Sequence, residues 1–259
     1  MAEPLVRMEK ICKSFGPVRA LQNVDLVLNP SEVLGIVGDN GAGKSTLMKV
    51  LTGVHQPDSG RIYFQGRPVH FNSPHDSRAL GIEMVYQDLA LAGNLNVAAN
   101  IYLGREPTKK RLGGLVKLLD HKSMADGAAR LLERLKIEIH SPTLLVETLS
   151  GGQRQAVAVA RSVGFEAKVV IMDEPTAALA VKEVAKVLDL IRGLKEHDVA
   201  VILISHRMPD IFEVCDRIMV LRQGVKVGDV PREQTCMDEI VALITGAQEE
   251  ALQYCLEVA

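Results

Sequence analysis

The chain has 259 residues, of which 47% are hydrophobic and 24% charged, and its formal net charge is −2. That length and mixture suit one large α/β domain, or one domain with a subdomain, and allow a core of useful size. The near-neutral charge argues against nucleic acid as a main ligand, and 3% aromatic residues with no Trp leave no stacking platform for single strands.

Val33 to Val37 is a short apolar run ending at Gly38 and predicts a buried strand, and Thr46 to Leu51 continues helically after the glycines. Arg61 to Gln65 and Pro68 to Phe71 predict two strands around a Gln65-Gly66 turn. Ser73-Pro74 marks a helix start, a hydroxyl cap followed by proline at the first helical position, and Ile82 to Tyr86 is another strand. From Leu89 to about Thr148 a mostly helical region is expected. Within it, Asn96 to Leu103 and Ser123 to Leu135 carry apolar residues at helical spacing, the second through Ala128, Leu131, Leu132 and Leu135. Between them lie Arg105, Lys109, Lys110, Arg111 and Lys117, read as a solvated connector, with docking to phospholipid headgroups or a partner as the other reading.

Strand and helix alternate again after residue 150. Lys168 to Met172 and Val199 to Ile204 are continuous apolar runs, as in a parallel sheet covered on both faces. Val184, Val187, Leu188, Ile191 and Leu194 form a helical stripe between them, read as core packing. The expected architecture is one α/β domain, residues 1–88 and 151–245, interrupted by a helical subdomain at 89–150 and followed by a tail at 246–259.

Cys12, Cys215, Cys236 and Cys255 show no C-x-x-C spacing and no histidine at zinc-finger distance, so reduced thiols of a cytosolic protein are expected. Met1 to Lys10 has no apolar run, so no signal peptide is expected, and no stretch approaches the roughly 20 apolar residues of a membrane-spanning helix. Work at a membrane would then require docking onto another subunit.

Gly38-Asp39-Asn40-Gly41-Ala42-Gly43-Lys44-Ser45, followed by Thr46, fits G-x-x-x-x-G-K-[ST] between a strand and a helix. The glycines let backbone N–H groups turn inward around phosphate oxygens, and the helix adds its positive end. Lys44 supplies a charge for the β- and γ-phosphates and Ser45 an oxygen for Mg²⁺. Val169-Val170-Ile171-Met172-Asp173-Glu174-Pro175 buries a strand and leaves two carboxylates at its carboxyl end, where open α/β sheets bind ligands. Asp173 is the candidate Mg²⁺ ligand, and Glu174 the candidate general base for the attacking water. Leu149-Ser150-Gly151-Gly152-Gln153 opens a helix that runs to Val163. Its start is a second phosphate cradle, which makes physical sense if it closes over the nucleotide of another subunit.

L-S-G-G-Q is the signature of the ABC ATPases. The order of lysine loop, Gln87, signature, D-E-P and His206 resembles that family over nearly the whole chain. The resemblance implies a P-loop NTPase fold of the ABC type, with an antiparallel β subdomain and an inserted helical subdomain. It implies that Gln87 touches Mg²⁺ and the lytic water and senses a transmembrane partner, and that His206 sits near the γ-phosphate. Phe15 stands where the family places an aromatic that stacks on adenine, although Phe15 could equally be core. D-E-P-T-A-A-L, V-K-E, I-S-H-R-M and I-T-G-A are similar to the ATPases of ribose, xylose and fructose importers in single-cassette form. By that resemblance the chain is an ATP-hydrolysing subunit acting as a homodimer. It would work at the cytoplasmic face of the membrane with transmembrane permease subunits, and indirectly with an extracellular or periplasmic binding protein. The alternative is a soluble ABC ATPase without a transporter. One departure stands out: Ala177-Ala178-Leu179-Ala180 occupies the D-loop, where most of the family has S-A-L-D.

Overall fold

The computed structural model describes residues 3–86, 88–111, 116–177 and 179–247. Its centre is a six-stranded sheet in the order β12-β11-β3-β10-β9-β6. The strands are β3 (Val33–Val37), β6 (Ile82–Val85), β9 (Val169–Asp173), β10 (Ala200–Ile204), β11 (Arg217–Arg222) and β12 (Val225–Pro231). All neighbours pair in parallel except β12, which returns antiparallel beside β11.

Side chains alternate along these strands, and the alternation divides the interior in two. Leu34, Ile36, Val169, Ile171, Ala200, Ile202 and Ile204 enter one core. Val33, Val37, Val170, Met172, Val201 and Leu203 enter the other. Every residue of β3 and β10 is buried, which is why these strands read as unbroken apolar runs in the sequence.

The first core is closed by helix α1 (Lys44–Leu51) and by a four-stranded antiparallel sheet, β2-β1-β4-β5. Its strands are β1 (Val6–Phe15), β2 (Val18–Leu28), β4 (Ser59–Phe64) and β5 (Arg67–Val69). Helix α2 (Pro74–Ala79) follows, started by Ser73, with Asp76 completing a capping box.

The second core holds α3 (Val97–Ile101), α4 (His121–Arg134), α5 (Gly151–Val163), α6 (Val181–Glu196) and α7 (Met208–Val214). The α6 stripe of Val184, Val187, Leu188, Ile191 and Leu194 is buried, as expected. The short helix α8 (Met237–Thr245) packs on β11.

Residues 89–150 are less helical than their sequence suggests. α3 is five residues long, and the basic stretch folds as a hairpin, β7 (Thr108–Arg111) with β8 (Val116–Leu119). Lys109 and Lys117 on these strands are exposed, in keeping with a solvated connector, although paired strands replace the helix expected there. Asp120 ends the hairpin and starts α4: it accepts from Ser123 N–H at 3.1 Å and pairs with Lys109 at 2.8 Å. Those bonds, the Lys109 ammonium first, hold the Asp120 carboxyl at about 2, below the ordinary range. No helix among the described residues is long and apolar enough to cross a membrane. Cys12, Cys215 and Cys236 are free thiols, as expected; Cys255 lies outside the described residues.

Candidate nucleotide-binding site

The loop from Gly38 to Ser45 leaves the carboxyl end of β3 and enters α1. Two of its glycines are required by backbone shape and by space. Gly38 has φ +149°, and a Cβ there would lie 2.1 Å from the Leu221 carbonyl oxygen. Gly43 has φ +103°, and a Cβ there would lie 2.7 Å from the Ala20 carbonyl oxygen. The loop therefore wedges between β2 and the β11–β12 turn, which the motif does not foretell.

Lys44 turns back over this loop. Its Nζ donates to the carbonyl oxygens of Gly38 at 2.6 Å and Asp39 at 3.0 Å. Burial lowers its pKa, against the pull of Glu174, Asp173 and Asp39. The ammonium is thus a partly desolvated charge whose hydrogen bonds among the described residues are to carbonyls. An anion entering the loop would be a stronger partner.

Asp173 ends β9 and comes to Ser45, whose Oγ donates to Asp173 Oδ2 at 3.4 Å. Burial raises the Asp173 pKa, with the Ser45 hydroxyl and Lys44 opposing. A hydroxyl and a carboxylate side by side are hard oxygen donors and fit Mg²⁺. No group of three or more His, Cys, Asp or Glu able to hold a metal exists among the described residues. This pair would therefore need phosphate oxygens to complete a shell, as is common for Mg²⁺.

Glu174 is held in an unusual backbone state. Its φ is +53°, a region that costs a non-glycine residue on the order of 1–3 kcal/mol. A bond from its N–H to the Ile204 carbonyl at 2.9 Å fixes this turn against β10. The side chain is buried, and burial raises its pKa to about 7, with the His206 N–H opposing and Asp173 adding to the rise. A carboxylate poised near neutrality can accept a proton from water without becoming inert. His206, just beyond β10, is largely exposed, and its Nδ1 lies 2.9 Å from Glu174 Oε1. The two form a close polar contact, and Oε1 accepts no hydrogen bond among the described residues.

The second glycine run is built differently. Ser150 caps α5: its Oγ accepts from Gln153 N–H at 3.2 Å, and the Gln153 Oε1 accepts from Ser150 N–H at 3.1 Å. Gly151 and Gly152 have ordinary helical backbones, and their missing side chains leave room for Glu183. A Cβ on Gly152 would lie 2.9 Å from Glu183 Cβ. The Ser150 hydroxyl and then the Gly152 N–H hold the Glu183 carboxyl below its ordinary range. No hydrogen bond among the described residues joins Ser150–Gln153 to residues 38–45. The two glycine runs start different helices, residues 38–45 leading into α1 and Ser150–Gln153 into α5.

Phe15 ends β1 with 44% of its surface exposed, so it is not a core residue. Its ring meets His55 edge-on at 5.1 Å, and Lys13 Nζ lies 5.6 Å from its centroid. Gln87 lies outside the described residues, directly after β6 and Tyr86. The sequence reading missed Glu183, which carries only the weak signal of an acidic residue in a helix's first turn. It also missed Asp210, buried on α7, which accepts from Thr176 Oγ1 at 2.6 Å and steadies the segment after Glu174.

A parallel sheet with a lysine loop at one strand's carboxyl end and an acidic pair at another's defines a P-loop nucleotide hydrolase. The separate capped glycine start marks the ATP-binding-cassette kind. Comparison agrees. The family described as ABC transporter matches residues 21–177. The xylose/arabinose import ATP-binding protein of Sulfolobus acidocaldarius is 48% identical, over 93% of this chain and 94% of its own length. The fructose import ATP-binding protein of Rhizobium meliloti is 46% identical, over 95% of this chain and 96% of its own length. A ribose import ATP-binding protein of Streptomyces avermitilis is 43% identical, but the match spans only 48% of that longer chain. Among solved structures, a nucleotide-free ATP-binding cassette from an ABC transporter superposes with a TM-score of 0.80 at 27% identity, covering 92% of this chain and 95% of its own. The chain belongs to the ABC transporter family of ATP-binding proteins, and it is an ATPase.

Proposed function

We propose that this chain energises a membrane importer of a simple sugar, a pentose or hexose, as one of two copies that sandwich ATP between them. The observation that carries the reading is the cluster of Lys44, Ser45, Asp173, Glu174 and His206 at the carboxyl ends of β3, β9 and β10, with a second cradle at Ser150 standing apart. Each site would pair the loop of one copy, residues Gly38 to Thr46, with Ser150, Gly151, Gly152 and Gln153 of the other. Lys44 leaves its carbonyl partners for the phosphates, and the exposed ring of Phe15 would stack on adenine. Ser45 and Asp173, with Gln87, would hold Mg²⁺, which supplies charge for the phosphate oxygens when bound. Glu174 accepts the proton of the attacking water, and His206 orients beside it. The sugar assignment rests on the xylose/arabinose and fructose relatives, which match this chain over nearly their whole length. By the same likeness the chain docks peripherally on permease subunits at the cytoplasmic face, and a binding protein acts only through them.

Glu174→Gln tests the sandwich. The amide cannot take the proton, so turnover should stop while Mg-ATP drives the variant to a dimer on gel filtration. A variant that stays monomeric with ATP bound would sink the shared-site reading. Co-purification with a permease from detergent-solubilised membranes tests the importer, and its failure would favour an ABC ATPase without a transporter.

A further inference from the structure

Among the described residues, two buried side-chain atoms lack a hydrogen-bond partner: Gln155 Nε2, and Glu174 Oε1, whose near neighbour His206 Nδ1 lies 2.9 Å away. Both residues line one cavity of about 510 Å³. Its walls also include Asp88 and Leu89, which follow Gln87, and Ala177 and Leu179 of the D-loop. Gln155 stands one helical turn after Gly151 on α5, and Gly151 lines the same cavity. The face of α5 that begins with the signature glycine therefore looks toward the candidate base.

One orphan atom is a donor and the other, when ionised, an acceptor. Leaving each unpaired in the interior would cost about 1–3 kcal/mol. The cavity has room for water, its walls also carry Asp88, Glu147 and Arg154, and a buried water typically joins two to four polar groups. Water in the cavity can serve both atoms.

We propose that Gln155 is a positioning residue for Glu174: its amide N–H₂ donates through a water in this cavity to Glu174 Oε1 and fixes the carboxylate's direction. The proposal rests on the reading of Glu174 as the base. It gives α5 two tasks. The helix start, Ser150 and Gly152, meets the nucleotide held by the other copy, and Gln155, one turn later, steers the base of this chain's own site. A small movement of α5 on dimer closure then reaches both sites at once.

Gln155→Met keeps length and removes the donor. Under the proposal kcat falls about tenfold or more while KM for ATP stays within about twofold, because the lost contact orients the base and does not bind nucleotide. If Gln155 is only a core residue, replacing an unpaired buried amide by an apolar side chain leaves kcat unchanged and raises the melting temperature; that result overturns the proposal. Gln155→Leu carries the same comparison should the methionine variant fold poorly. Gln155→Asn, which keeps a donor within reach of a water, should recover most of the rate. In a Glu174→Gln background, Gln155→Met should slow residual single-turnover hydrolysis no further; additive losses would count against the pairing. Full turnover by Glu174→Gln alone would instead remove the base assignment, a failure distinct from unchanged kcat in Gln155→Met.

Discussion

The two phosphate cradles use glycine for opposite reasons. In residues 38–45, Gly38 and Gly43 have backbone angles that side chains resist, and the loop is wedged against Leu221 and Ala20. At Ser150–Gln153 the backbone is an ordinary capped helix, and the glycines make room for Leu179 and Glu183. The first cradle is shaped by its own chain and stays closed on Lys44. The second lies under Glu183 of α6. In the first, glycine lets the chain bend back on itself; in the second, it lets two helices come close.

The contrast breaks most sharply at Gly38. Gly38→Ala meets the Leu221 carbonyl at 2.1 Å with φ +149°. The loop or the β11–β12 turn must move, at an expected cost of about 3–5 kcal/mol. Thermal unfolding should show a large loss, and titration no measurable ATP binding. A variant with parental stability would mean the loop is not wedged as described.

Next in size is the buried charge beside that cradle. The Glu174 pKa is raised to about 7, against an ordinary value of 4.5. Between those values the folded state holds more protons than the unfolded one, so stability falls as pH rises. Nucleotide-free Glu174→Gln should escape this cost and be more stable than the parent above pH 7, by on the order of 2–3 kcal/mol. The difference should close as pH falls below the ordinary value. Denaturant curves at several pH values check it, and a pH-independent difference would refute it.

A smaller effect separates the second cradle from the first. Gly152→Ala should cost about 1–2 kcal/mol, because the helix preference of alanine is outweighed by a contact with Glu183 Cβ at 2.9 Å, which no rotamer of Glu183 relieves, so α5 and α6 must shift apart. ATP binding to the monomer should persist. The shift that relieves the contact moves the start of α5 and the Ser150 cap with it, so ATP-driven dimerisation should weaken, even in the Glu174→Gln background. Normal dimers would mean the shift does not reach the cradle.

Much of this was legible in the sequence. The lysine loop, β3, β9 and β10 announced themselves because strands buried on both faces are written in unbroken apolar residues. The two-core division follows from period-two alternation once the strands are placed. The β7–β8 hairpin was not legible, since its Lys and Arg residues at 109–111 carry no strand pattern and its pairing is set by neighbours. Glu183 and Gln155 were equally hidden. Their meaning lies in what α6 and α5 bring together across the chain, and no spacing within either helix records it.

The smallest expected effect lies at Ala180. The family's usual aspartate is absent, and Ala180 proves to be the N-cap of α6, with φ −68° and ψ 153° and no side-chain cap. The Glu183 and Val184 N–H groups reach the Ala180 carbonyl at 2.8 and 3.0 Å, so the first turn is formed but its inner donors lack a side-chain acceptor. An aspartate there has the backbone angles of a good cap, and should stabilise the fold by about 0.5–2 kcal/mol. Glu183, three residues on, opposes part of that gain, since a second carboxylate beside it is repelled. The same repulsion would loosen Glu183 from Ser150 and Gly152 and uncover the second cradle. Ala180→Asp should therefore give a modest rise in melting temperature, and dimerisation at lower ATP concentration with a higher Hill coefficient. A rise in stability with unchanged kinetics would make position 180 a cap alone. Unchanged stability with altered kinetics would mean the aspartate acts across the dimer and leaves α6 uncapped.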